Sequence, residues 1–115
     1  MPLIAGIGSS QAVASASGGK IWPFNNISTA PIQVVAANQQ RVSITFANPG
    51  TQTIFVAPLT TANGAPLVPS TGALGGCFPV VSGAMMILTG EVQVGWQALA
   101  PSGLNNPLTV METNV

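Results

Sequence analysis

Charge is almost missing from this sequence. Only Lys20, Arg41, Glu91 and Glu112 are charged, 3% of 115 residues, where soluble chains average roughly 25%. Histidine, aspartate and tyrosine are absent. Without His or Asp, no Ser-His-Asp or Cys-His arrangement can be built. A glycosidase pair would need Glu91 and Glu112, and both read as solvated charges at strand ends. Two carboxylates and no imidazole make a poor transition-metal site. "GIGSS" is no phosphate loop, because no strand precedes it and no Gly-Lys-Ser/Thr follows. The residue set therefore predicts no enzyme activity, no cofactor and no metal. Two basic residues cannot neutralise a run of phosphates, which excludes nucleic acid as a partner.

Cysteine is nearly missing too. Cys77 is the single one, so no intrachain disulfide forms, and reduced folding inside a cell is expected. With no base beside it, Cys77 reads as a small buried hydrophobe. Long apolar runs are also lacking. "FPVVSGAMMIL" is about half of a membrane span and contains Pro, Ser and Gly, so no membrane segment is expected. "MPLIAGIGSS" has no basic leader pattern.

What the chain does contain is alternation. Apolar residues make up 47%, enough for one domain with its own core. "IQVVAA" reads as a strand. "RVSITFA" places Val42, Ile44 and Phe46 on one face, and "NPGT" is turn chemistry. "TIFVAP" follows, which predicts a hairpin. Arg41 at its entry reads as a solvated edge charge or a partner for a loop carbonyl. Residues 60–76 form a long Gly/Pro loop, with a short edge strand expected at Leu67 and Val68. "CFPVV" and "AMMILT" predict strands buried on both faces, with Met85 and Met86 as core filler. "EVQVGWQALA" alternates, with Val92, Val94, Trp96 and Ala98 inward. "PLTVMET" closes the chain.

Short strands with regular turn signals and no helical period imply an all-β fold. The expectation is a single antiparallel β-sandwich or jelly-roll-like domain over residues 28–115, with an extended N-terminal arm over residues 1–27. Residues 5–19, "AGIGSSQAVASASGG", cannot bury enough apolar area to order themselves. Trp22 and Phe24 either anchor the arm on its own domain or, together with Ile4, anchor it on a neighbouring subunit. Scarce charge and zero net charge favour association, so the chain is expected to form a homo-oligomer.

The segment "AANQQRVSITFANPGTQTIFVAP" resembles a pattern found in virion proteins of tailed bacteriophages. "GGCFPVVSGAMMILTGEVQVGWQALAP" looks like the second half of the same module. The resemblance implies a structural virion protein, best matched by a capsid decoration (cement) protein. It would be a trimer on the capsid surface, bound to the major capsid protein and assembled in the host cytoplasm. A tail or fibre accessory subunit, or a carbohydrate-binding module using Trp22, Phe24, Phe55 or Trp96, is the alternative.

Overall fold

The computed structural model describes residues 19–71, 75–90 and 93–115. Among the described residues eight strands form, in chain order: β1 (Gly19–Ile27), β2 (Ile32–Val35), β3 (Arg41–Ala47), β4 (Ile54–Pro58), β5 (Phe78–Val80), β6 (Met85–Thr89), β7 (Trp96–Leu99) and β8 (Asn106–Asn114). They make two four-stranded sheets, ordered β1-β8-β3-β6 and β2-β7-β4-β5, and every pairing is antiparallel. Pairing runs first with last: β1 with β8, β2 with β7, β3 with β6, β4 with β5. This is the order of a jelly roll, a long hairpin wrapped into two facing sheets. The all-β sandwich expectation holds.

The core lies between the sheets. Ile27, Ile44, Phe46, Leu108 and Val110 from the first sheet meet Ile54, Val56, Val80, Trp96 and Ala98 from the second, all fully or nearly fully buried. Phe46 and Trp96 pack tilted at 5.4 Å between ring centroids, a favourable aromatic geometry. Phe78 also packs tilted on Trp96, at 6.1 Å between ring centroids.

Several local expectations change. The predicted hairpin does not exist, because β3 and β4 lie in opposite sheets. Asn48 makes that corner. It is 1% exposed, donates to the carbonyls of Val80 and Gln52, and accepts from the Gly50 amide. An Asx turn bonded across to β5 steers the chain out of the first sheet instead of back along it.

Residues 19–27, assigned to the arm by sequence, form β1 and pair along β8. Residues 19–27 are therefore part of the sandwich, and residues 1–18 lie outside those described. The alternation of β1 points Trp22 and Phe24 inward, where both pack against the core.

Val42 is 40% exposed where burial was expected. The ladder between β3 and β8 shifts between Arg41 and Ser43, and this bulge puts Arg41 inside in place of Val42. Val94 is likewise 39% exposed, since β7 starts only at Trp96. Gly95 is pressed against Leu59 and the Val35 carbonyl, and an added Cβ would lie 2.6 Å from Leu59 Cδ1. Val92 and Glu91 lie outside the described residues.

The loop after β4 folds back over the outer side of the second sheet. Gln97 donates to the carbonyls of Pro58 and Leu67, and the Leu67 amide donates to Leu59. That cover buries Gln97 and Ala57 on a face that alternation would expose. Leu67 and Val68 form no strand; the loop carries an isolated bridge between Thr60 and Pro66.

Candidate interaction surface

Two features stand out from a plain sandwich: a buried ion pair at one end, and an uncovered sheet face. The ion pair comes first. Arg41, 0% exposed, donates from Nε to Glu112 Oε1 at 2.7 Å. Its other nitrogens reach the carbonyls of Val94 at 2.8 Å and Ala36 at 2.6 Å. Glu112 Oε2 accepts from Asn38 and Asn114, and Asn38 also donates to Asn114 Oδ1. Burial pushes the Glu112 carboxyl up. The hydrogen bonds from Arg41, Asn114 and Asn38, with the Arg41 charge, outweigh burial and hold it below the usual carboxylate range. The arrangement ties β3, β8 and the loops after β2 and before β7 into one knot. Glu112 is thus not the solvated strand-end charge expected from sequence, and of the two readings for Arg41 the loop-carbonyl partner is the one found.

Beside this knot lies an open cleft of ≈ 310 Å³, lined by Lys20, Trp22, Val35, Ala36, Ala37, Asn38 and Glu112. Its one carboxylate is already engaged by Arg41 and two amides. With no His or Asp, the residue set cannot build a Ser-His-Asp arrangement. Among the described residues no three His, Cys, Asp or Glu converge as metal ligands. Cys77 is half-buried, with the Ser70 amide 3.3 Å from its Sγ.

The outer face of the first sheet is different in kind. Strand registers place its outward residues in three rows, each running β6, β3, β8, β1. The rows are Met85-Ala47-Thr109-Pro23, Ile87-Thr45-Met111-Ile21 and Thr89-Ser43-Thr113-Gly19. None of these positions is charged. Ile21, Met85 and Ile87 are 63%, 63% and 62% exposed, and Met111 37%. Between them Thr45 is only 7% exposed, the floor of a shallow trough along β3. The predicted two-sided burial of β6 therefore fails. Met86 and Leu88 pack on the core, while Met85 and Ile87 point to solvent.

β6 is also an edge. Sheets generally blunt their edges with charge, proline, bulges or short length. β1 carries Lys20, Pro23 and an irregularity between Phe24 and Ile27. β2 has four residues and a shift between Gln33 and Val35. β5 has three residues and Pro79. β6, Met-Met-Ile-Leu-Thr, has none of these devices and pairs with β3 in unbroken register.

The interface residues expected from sequence are not gathered here. Trp22 and Phe24 face the core of their own domain, the first of the two readings given for them. Ile4 lies outside the described residues. Trp96, 5% exposed, offers no sugar platform, and Trp22 is half-buried against the core.

No protein-family model matches the chain, and no curated protein matches it. A solved structure with a similar fold comes from work on Bacillus endospore appendages, which form a family of disulfide-linked pili. It has 11% sequence identity and a TM-score of 0.46, and the match covers 91% of this chain and 97% of that one.

These findings correct the resemblance drawn from the hairpin segment. The structure found to be similar is an appendage subunit and not a phage capsid protein. The segment that carried the resemblance is also not a hairpin. The virion location, the capsid partner and the cement role are withdrawn, as are the fibre and sugar-binding alternatives. The trimer loses the resemblance that implied it.

Proposed function

We propose that this chain is a structural subunit that assembles with copies of itself through the first sheet. The observation that carries the reading is β6, a five-residue edge without charge, proline or bulge, next to an outer face with no charged position. Unpaired amides and carbonyls on such an edge are a template for another strand. A second copy is the partner whose surface is known to be equally neutral. A charged partner would gain nothing from this face and would leave its own charges desolvated. The near absence of charge in the whole chain has the same consequence, because little repulsion opposes close association.

Sedimentation velocity of the full chain, from low micromolar to millimolar concentration, tests this. Species larger than a monomer should grow in with concentration. A monomer throughout the range overturns the reading.

A further inference from the structure

We infer that the outer faces of the first sheets of two copies stack on one another about a two-fold axis, in one specified register. The inference rests on the self-assembly reading and names the contact within it.

The axis lies between the stacked sheets, parallel to the strands and centred over the gap between β3 and β8. A half-turn about it lays β3 of one copy over β8 of the other, and β6 over β1, because the sheet order is β1-β8-β3-β6. Position along the strands is unchanged, so each row meets the same row of its partner. The side chains that then face each other are unequal in size where that helps packing. Met111 of one copy lies over the trough floored by Thr45 of the other, and the reverse contact repeats it. Met85 lies over the flat ring of Pro23. Ile87 meets Ile21. Each of these positions is assigned by the strand registers.

Other placements do worse. Shifting the axis to the gap between β3 and β6 leaves Met111 and Ile21 uncovered. Centring it on β8 stacks Met111 on its own copy and leaves Met85 and Ile87 outside. Stacked sheets sit about 10 Å apart with strand directions within about 30° of each other. A methionine over a threonine fits that gap, and two methionines face to face do not.

The area sets the strength. Four strands about 4.8 Å apart, each presenting five residues at about 3.3 Å per residue, give a footprint of about 320 Å² per copy. Standard stable interfaces cover about 800 Å² per partner. The face alone therefore gives a weak, reversible contact, and it becomes effective where the neighbouring β6 edge is engaged at the same time.

The experiment uses the full chain and reads association by sedimentation velocity. Ile21→Glu lies on β1, three strands away from the β6 edge. It should weaken association by about tenfold or more, because a carboxylate would be buried without a partner. Ile87→Lys should do the same. An equimolar mixture of the two variants should recover association. The introduced carboxylate and ammonium then face each other across the two-fold, and the second contact stays Ile87 on Ile21. Circular dichroism melts confirm that each variant is folded; where Ile21→Glu or Ile87→Lys is not, Met111→Lys, which faces Thr45 of the partner copy, tests the stacked face alone by the same tenfold loss. Association of Ile21→Glu at wild-type strength overturns the stacked face while leaving self-assembly in place. Loss in both variants without recovery on mixing overturns the register. A monomeric wild type removes the reading beneath both.

Discussion

Glu112→Gln isolates the buried knot at the end of the sandwich. The substitution keeps size and shape and removes one charge. Arg41 is 0% exposed, so its guanidinium has no route to water when the carboxylate is gone. Its bonds to the Val94 and Ala36 carbonyls remain, and these offset part of the loss. Removing one member of a buried pair costs about 3–5 kcal/mol, because the other charge is left uncompensated. The retained carbonyl contacts place this variant near the lower end, about 3 kcal/mol. For a domain of this size that lowers the melting temperature by about 12–24 °C. Urea unfolding followed by fluorescence of the buried Trp96 measures it directly. The double variant Arg41→Met with Glu112→Met removes both charges together. It should cost less than the sum of the two single changes by more than about 1 kcal/mol. A loss below about 1 kcal/mol for Glu112→Gln, the range of an exposed pair, would refute the claim that the knot holds β3 to β8.

The same pair makes stability sensitive to acid. The folded carboxyl of Glu112 is held below its ordinary value, so its contribution is complete above about pH 4.3. It is lost as pH falls through the lower folded value; unfolding free energy measured from pH 7 to pH 2 should drop in that window, and less so in Glu112→Gln. Asn48→Ala removes the bonds that set the corner between β3 and β4. It leaves the buried Val80 carbonyl short of a donor, at a cost of about 1–3 kcal/mol by denaturant titration. Phe46→Ala opens a cavity against Trp96 and should cost about 3–5 kcal/mol in the same assay.

Alternation carried most of the fold. It marked the strands β2, β3, β4, β6 and β8 close to where they form, and it excluded helices. It failed where one residue changes the phase. The bulge after Arg41 swaps Val42 for an arginine, and no local residue type announces it. The signal for Glu112 was present: it keeps phase with Leu108 and Val110, both fully buried, so β8 points a carboxylate inward. An inward acid in a chain with so few cations called for Arg41 or Lys20 as its partner. The pairing of β3 with β6, nearly forty residues on, was not legible. Turn chemistry at Asn48-Pro49-Gly50 is the same for a hairpin and for a corner, and the side chain of Asn48 decides between them only once β5 is in place. The exposed face was hidden for a related reason. A run such as Met85–Thr89 fits a central strand and an unprotected edge equally well, and only the sheet order separates the two.

The central claim is that the first sheet is the assembly surface. Hydroxyl-radical footprinting of dilute and concentrated full-length protein tests it most directly, since Met85 and Met111 lie on that face and oxidise readily. Val68 and Leu104, 84% and 72% exposed away from it, serve as references. The account predicts that oxidation at Met85 and Met111 falls several-fold as the protein associates, while the two references keep their dilute rates. Unchanged methionine oxidation in a sample shown to be associated would contradict it.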